Sequence, residues 1–452
     1  MYAIVIGAGE VGFNIAQRLS EENHDVVVVD TNDSRLERCR DFLDVLTVRG
    51  SGSRESTLVE AGVERARMLI AVTDCDEVNI VACLVAQAYG TRHRIARIIG
   101  AGMSSDDSRL TAEHMGVSQV INPNEETVRE ITSLLQHSSA SEVVEYAGGR
   151  LTLVRVAVTD GAPIVGKELR DLTREEGERR TYLVVAVQRN GRTIVPHGDD
   201  VIHQGDEIIA MCQSGHVRDV TFLAGQRDSK IGKVMIVGGG DLGSSLARSL
   251  EEHKVSVVLI ESNKEVCADL NEELGRTLIL QGDGTDISLL RSEGVGEMDA
   301  FIALTPDEEN NILASLMARH HGCRKVITRI RRSDYVSIMA SIGIHAAISK
   351  RTSTVSGVLR FVRKGAILSV TLFQDTDAEV IELRASKGSV MVDLPLNKVR
   401  FPQKAIVGAV IREGDGTDTV EIASGDTVIG PGDRVVVFAL KDAVAKVEEL
   451  FG

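Results

Sequence analysis

The chain has no tryptophan, and five tyrosines and nine phenylalanines bring aromatics to only 3%. That removes the stacking platforms expected of a single-strand nucleic-acid binder. Positive charge is also short. With 66 acidic against 51 basic side chains the formal charge is -15, which argues against nucleic acid or an anionic lipid surface as the main partner. Long apolar runs are missing: Ile80–Ala86 has seven residues, and Tyr182–Val187 and Val435–Leu440 have six, whereas a membrane-spanning helix needs about 20. The six cysteines (Cys39, Cys75, Cys83, Cys212, Cys267, Cys323) form no CxxC pair and no zinc spacing. Reduced, mostly buried thiols in a cytosolic protein are expected. The opening MYAIVIGAGEVG has no basic leader or small-residue cleavage site and reads as a strand entering a turn, with the fold beginning at Met1.

What is present is a 452-residue globular composition, 43% hydrophobic and 26% charged, with room for three or four domains. An internal repeat organises it. Gly7-Ala8-Gly9-Glu10-Val11-Gly12 recurs as Gly238-Gly239-Gly240-Asp241-Leu242-Gly243, 231 positions on, and Asp30 after VVV recurs as Glu261 after VLI at the same offset. Gly50, Thr73, Asn79 and Arg97 recur as Gly282, Thr305, Asn311 and Arg329, now 232 positions on. Two registers separated by one insertion over some ninety residues identify a tandem duplication.

Each copy alternates strand and helix. In the first, strands are expected at 3–6, 26–29, 45–48, 68–72 and 95–98, with helices at 11–19, 34–42, 55–61 and 77–89. Continuous Val/Ile runs are the mark of strands buried on both faces, hence a parallel, Rossmann-like α/β sheet. GxGxxG between a strand and a helix, with an acid closing the next strand, has a coherent physical reading. Gly7 and Gly238 permit the tight turn, Gly9 and Gly240 let a pyrophosphate approach, and Gly12 and Gly243 let helix pack on strand. The helix N-terminus holds the anion. Asp30 and Glu261 are placed for ribose hydroxyls, and their charge favours NAD over NADP.

Other clusters read as structural. Asp74-Cys75-Asp76-Glu77 and Asp307-Glu308-Glu309 lack calcium-loop spacing and suit helix starts, and His320-His321 suits a helix end; no metal site is expected. After each α/β unit the chain turns to short β runs containing Gly205-Asp206 and Gly432-Asp433 turns. The expected domains are 1–140 and 229–368, Rossmann-type, each followed by a small α+β module, 141–228 and 369–452. Neither module offers a catalytic triad, a YxxxK pair or a His set beside a carboxylate, so no catalytic residue is assigned and the chain is not expected to be an enzyme.

The order GxGxxG, Asp30, GSGS, TDCDEVN and AR, with Ile164-Val165-Gly166-Lys167 in the trailing module, resembles the RCK (regulator of potassium conductance) domain family. Two such units in one chain are similar to the tandem-RCK regulatory subunits of bacterial Trk potassium uptake. The resemblance covers essentially the whole chain. It implies an NAD(H)-binding protein, with ATP/ADP as alternative ligands, that assembles as a homo-oligomer (a tetramer) on the cytoplasmic face of the membrane. It also implies a TrkH/TrkG-like integral-membrane potassium transporter or channel subunit as partner, and nucleotide exchange as the gating signal.

By the same resemblance, Gly7, Ala8, Gly9, Gly12 and the amides of Glu10 and Val11 hold phosphates and Asp30 the ribose, Thr73 and Asp74 approach the far end of the ligand, and Arg97 meets phosphate or the second ribose. The second set is Gly238, Gly240, Asp241, Leu242, Gly243, Glu261, Asp283, Thr305 and Arg329. One departure is Ser51 after Gly50, where the family pattern, kept at Gly282-Asp283, has Asp; another is Asp74 against Pro306. A soluble NAD-dependent oxidoreductase, or an NAD sensor for a non-potassium partner, remains an alternative.

Overall fold

A computed structural model of the protein describes residues 1–21, 24–100, 111–137, 139–173, 180–226, 231–331, 335–362, 367–372, 376–412 and 418–451. In chain order, the first α/β stretch is β1 (Tyr2–Ile6), α1 (Glu10–Glu21), β2 (Asp25–Asp30), α2 (Asp33–Phe42), β3 (Leu46–Arg49), α3 (Glu55–Glu60), β4 (Met68–Ala71), α4 (Asp76–Ala88), β5 (His93–Arg97), β6 (Gln119–Ile121) and α5 (Pro123–Gln136). The first small module follows as β7 (Glu142–Tyr146), β8 (Leu151–Ala157), β9 (Tyr182–Arg189), β10 (Arg192–Ile194), β11 (Glu207–Gln213) and α6 (Val217–Leu223). The second α/β stretch is β12 (Lys233–Val237), α7 (Asp241–Glu252), β13 (Ser256–Glu261), α8 (Lys264–Glu273), β14 (Leu278–Gln281), α9 (Ile287–Ser292), β15 (Ala300–Ala303), α10 (Glu308–His320), β16 (Lys325–Arg329), α11 (Val336–Ser341), β17 (Ala346–Ile348) and α12 (Lys350–Val362). The chain closes with β18 (Ile367–Leu372), β19 (Ala378–Arg384), β20 (Ala405–Arg412), β21 (Thr419–Ile422), β22 (Arg434–Leu440) and α13 (Val444–Phe451).

Two compact units result: Met1–Thr127 with Ser349–Val362, and Val128–Ile348 with Arg363–Gly452. In the first unit six parallel strands lie in the order β3-β2-β1-β4-β5-β6. This is a doubly wound sheet whose strand order reverses beside β1, where such sheets bind ligands. Val26–Val29 and Met68–Ala71 are buried throughout because helices cover both faces, which is why their sequence does not alternate. Strands and helices lie within two residues of the positions expected from periodicity. Helix α12, from the end of the second repeat, belongs to this unit. Its Val355, Val358 and Leu359 are buried in one cluster with Ile15 and Leu19 of α1 and Ile121 of β6.

The second unit repeats the parallel sheet as β14-β13-β12-β15-β16-β17 and adds two five-stranded antiparallel sheets of matching topology, β10-β9-β11-β8-β7 and β18-β19-β22-β20-β21. One face of each antiparallel sheet contributes to a shared core, with Leu151, Leu153, Ile209 and Met211 from one and Val380, Ala409, Ile411 and Phe438 from the other. The opposite faces bury alternate residues under α6 and α13. Alternation thus places apolar residues on both faces, so Val435–Leu440 reads as a continuous apolar run. Gly408 lies at a bulge where an added Cβ would fall 2.4 Å from Met211 Sδ, so the neighbouring sheet packs closely there.

The later turns of α5 also pack in this unit, with Ile131, Leu134 and Leu135 in the cluster that holds Leu242 and Leu246 of α7. The end of α5 is fixed by a charge. Lys325, 2% exposed at the start of β16, directs its ammonium to the carbonyls of Leu134 (2.8 Å), His137 (3.2 Å) and Ala140 (2.7 Å). A helix C-terminus leaves carbonyls without intrahelical partners, and a cation there also meets the negative end of the helix dipole. Lys325→Met keeps the bulk of the side chain but removes the buried donor to the Leu134 and Ala140 carbonyls, while that of His137 still accepts from the Ala140 amide (3.0 Å). It is expected to destabilise the second unit by about 2–4 kcal/mol, read as an earlier transition in urea; an unshifted transition refutes the anchoring role.

Candidate nucleotide-binding sites

Each parallel sheet gathers the sequence-derived residues at the C-terminal edge of its strands. In the first, Gly7, Ala8 and Gly9 form the turn between β1 and α1, and Glu10, Val11 and Gly12 form the first turn of α1. Asp30 ends β2, Ser51 follows β3, Thr73 and Asp74 follow β4, and Arg97 ends β5. The second sheet places Gly238 and Gly240 in the β12–α7 turn, Asp241, Leu242 and Gly243 in the first turn of α7, Glu261 at the end of β13, Asp283 after β14, Thr305 after β15 and Arg329 at the end of β16.

The three glycines of each turn do different work. Gly7 and Gly238 have φ of 99° and 102°, a region closed to most side chains. At Gly12 an added Cβ would sit 1.7 Å from the Gly7 carbonyl oxygen, and at Gly243 1.9 Å from that of Gly238. Helix and strand therefore approach only because both lack a side chain. At Gly9 and Gly240 an added Cβ would meet nothing within 4 Å. That open volume lies beside the first turn of a helix whose leading N–H groups have no intrahelical acceptor, so the turn fits a pyrophosphate.

The carboxylate closing the second strand is tied to the same turn. Asp30, 8% exposed, accepts from the Ala8 amide (2.6 Å) and from the Asn32 amide (2.8 Å). Glu261 accepts from Gly239 (2.7 Å) and Asn263 (2.8 Å). Burial pushes the Glu261 carboxyl up, but the amides of Asn263 and Gly239 and the Ser262 hydroxyl outweigh it and hold the group below its ordinary value of 4.5. Every carboxylate oxygen keeps acceptor capacity beyond one amide, so these contacts leave room for ribose hydroxyls. Glu10, whose amide belongs to the turn, pairs its side chain with Arg38 at 2.6 Å; that bond and the nearby charges of Arg38 and Arg351 hold its carboxyl low against partial burial.

At the far side an asparagine joins two strands. Asn79, fully buried on α4, accepts from the Thr73 amide (3.0 Å) and hydroxyl (2.7 Å) and donates to the carbonyls of Thr73 (3.1 Å) and Arg97 (2.8 Å). Asn311 repeats all four contacts with Thr305 and Arg329. Sequence reasoning used both asparagines as repeat markers and missed this role, although their recurrence at a fixed offset was the available signal. Gly52 and Gly284 were missed likewise; an added Cβ would fall 2.3 Å from Ile6 and 2.1 Å from Val237. Ser51 and Asp283 each brace their own loop, Ser51 Oγ accepting from the Ser53 amide (3.3 Å) and Asp283 from the amide and hydroxyl of Thr285 (2.8 Å each).

The two sites differ around the arginine. Arg97 donates to the Thr73 carbonyl (3.1 Å) and pairs with Asp74 (2.7 Å), which is 88% exposed. Arg329 donates to the Leu304 carbonyl (3.2 Å), and Pro306 stands where Asp74 would be. The acidic stretches lie at helix starts, with Asp307 accepting from the Asn310 amide as the cap of α10. Among the described residues no group of three or more His, Cys, Asp or Glu is arranged to hold a metal. The six cysteines are free thiols; Cys75 is exposed and the other five are buried, with burial pushing Cys83, Cys212 and Cys323 up to about 12.

Comparison with known proteins accords with this organisation. A model of the TrkA-N domain matches residues 3–123 and 234–350, and one of the TrkA-C domain matches 153–223 and 380–452. A Trk system potassium uptake protein TrkA from Halomonas elongata is 37% identical over 456 residues, spanning 100% of this chain and 98% of the relative. A TrkA homolog 1 from Methanosarcina mazei is 36% identical over 460 residues, spanning 100% of both chains. Among solved structures, the GsuK channel bound to NAD superposes with a TM-score of 0.59 at 18% identity, over 100% of this chain and 78% of that one, and the GsuK RCK domain with 0.57 at 18%, over 100% and 94%. These two likenesses establish the shared fold.

Two outcomes follow from the turn geometry. Gly12→Ala and Gly243→Ala are expected to destabilise the protein by more than about 2 kcal/mol, since the helix preference of alanine, about 0.5–1 kcal/mol, cannot offset a clash with backbone. Gly9→Ala and Gly240→Ala should leave stability within about 0.5 kcal/mol; equal losses in both pairs on chemical denaturation contradict the reading. Because the folded Glu261 carboxyl is held below its unfolded value, its stabilising contribution is full above about 4.5 and is lost as pH falls through the folded value. Acid unfolding of Glu261→Gln should therefore show a shallower pH dependence than wild type below that point.

Proposed function

The chain belongs to the TrkA family, carrying its N- and C-terminal domain types twice each, and on that premise we propose that it is the nucleotide-sensing regulatory subunit of a potassium-uptake system. It binds NAD(H), with ATP or ADP as alternatives, at the two glycine turns. It acts on an integral-membrane potassium channel or transporter subunit from the cytoplasmic face, as a homo-oligomer, and is not an enzyme. The observation that carries the proposal is the doubled turn: open volume at Gly9 and Gly240 beside a helix N-terminus, with the Asp30 or Glu261 carboxylate bonded to the same turn. Support also comes from the relatives named as Trk potassium uptake proteins and from the NAD-bound channel of the same fold.

Repetition suits such a role. A ligand that binds one state tenfold better shifts the equilibrium by about 1.4 kcal/mol, and four such sites sum to about 5.5 kcal/mol, which moves a 1:99 equilibrium to 99:1. The contrast around the arginines assigns preferences. Asp74 neutralises Arg97 in the first site, which suits the two phosphates of NAD(H). In the second, Arg329 has no such carboxylate among the described residues, which suits the higher charge of ATP.

NADH at a hundred times its dissociation constant should stabilise the protein by about 2.7 kcal/mol in thermal unfolding, and Gly9→Ala with Gly240→Ala should remove the shift. No shift with NADH, NAD, ATP or ADP at millimolar concentration would sink the nucleotide reading. Copurification of a membrane potassium subunit tests the partner. Asp74→Ala should raise the ATP-to-NADH affinity ratio at the first site by about three- to tenfold, measured by competition calorimetry; an unchanged ratio dismisses the assignment.

A further inference from the structure

The first parallel sheet also carries a cleft at its opposite edge. Its volume is about 340 Å³, and it is lined by Glu64, Arg65, Ala66, Arg67, Gly90 and Arg92. These residues precede β4 and β5, whose far ends carry Thr73 and Arg97, so the length of a strand, about 13 Å, separates the cleft from the glycine turn. Three exposed arginines face one acid in a chain whose formal charge is -15.

Arg65 is held in place. Its guanidinium carbon lies 4.2 Å from the centre of the Tyr2 ring, and it donates to the Tyr2 hydroxyl (3.1 Å), which in turn donates to the Ala61 carbonyl (2.9 Å). The side chains of Arg67 and Arg92 have no hydrogen bond or ion pair among the described residues. The duplication supplies an internal control. The same positions in the second sheet are Gly296, Glu297, Met298, Asp299, Gly322 and Arg324. There Asp299 accepts from the amides of Gly232 (2.8 Å) and Lys233 (3.0 Å) and lies 3.5 Å from Arg324. One fold is thus built with acids at the positions where the other sheet sets two arginines, so the basic set is not required to form the sheet.

From this juxtaposition we infer that the Arg65–Arg67–Arg92 cleft is a phosphate-binding site separate from the nucleotide turns. Guanidinium groups match phosphate oxygens with paired, charge-assisted hydrogen bonds. An oriented arginine flanked by two unpaired ones gives a terminal phosphate several donors at once, in a concavity near the lower end of ligand-pocket sizes, about 300 Å³. The phosphate comes either from a soluble phosphorylated compound or from an anionic lipid headgroup.

The test uses the full chain with two probes. Inorganic pyrophosphate is titrated calorimetrically, and phosphatidylcholine vesicles containing phosphatidic acid are used for cosedimentation. Each is repeated with Arg67→Asp, which places the second sheet's residue at this position, and with Arg92→Gln. At least one probe is expected to bind, and each substitution should weaken it about tenfold or more without moving the thermal midpoint. Binding of pyrophosphate alone identifies a soluble ligand, and of vesicles alone a lipid headgroup. Should Arg67→Asp perturb folding, Arg92→Gln carries the comparison by itself. The same binding should persist in Gly9→Ala with Gly240→Ala, so failure of the nucleotide reading leaves this result intact. No binding of either probe, or binding that neither substitution weakens, overturns the inference.

Discussion

In both α/β units the close approach of a helix start to the carbonyl it follows is the constraint from which the site develops. Gly12 against Gly7, and Gly243 against Gly238, leave no volume for a methyl group. That approach brings the leading amides of α1 and α7 to the edge of the sheet, where their partial positive charge faces outward. The carboxylate at the end of the next strand then closes on the turn through one amide, that of Ala8 or Gly239. A turn held from both sides is organised in advance, so little ordering cost would remain for a ligand there.

Asn79 and Asn311 do the corresponding work across the other half of each sheet. Each bonds three backbone groups and one threonine hydroxyl at the ends of two neighbouring strands, and each is at most 1% exposed. An amide buried in this way is stable only with all its partners present. The loops after β4 and β15 are therefore fixed relative to the arginine strands. What differs between the sites, Asp74 against Pro306 and Ser51 against Asp283, lies in the loops that follow the strands. Duplication has preserved the frame and released the rim.

Beyond the sheets, a few buried or half-buried polar groups decide how the segments join. Lys325 accommodates a charge in the core by giving it three carbonyl oxygens at the end of α5. Arg150 reaches the backbone and side chain of Asp418, and Gln213 the Val420 carbonyl, so the paired antiparallel sheets are registered by polar contacts at the margin of an apolar interface. Apolar burial is non-directional, and these bonds supply the direction.

The sequence by itself determined the duplication, the parallel α/β character of each repeat, the position of nearly every strand and helix through β5, and the edge on which the glycines, carboxylates and arginines converge. It could do so because strand and helix periods, the glycine turn and the acid closing the second strand are local properties of the chain. Comparing the two copies further marked Asn79 as a repeated position, though not its role, and passed over Gly52. Tertiary structure alone decided that α12 completes the first unit, that two small sheets share one core, that Lys325 is buried and that Asp30 holds the Ala8 amide. It alone also showed that Arg65, Arg67 and Arg92 line one cleft. Each of these depends on groups far apart in the chain or on the direction of a side chain, and neither period nor spacing encodes them. A lysine opening the run KVITR looks like any solvated strand end until the helix carbonyls that need it are placed against it.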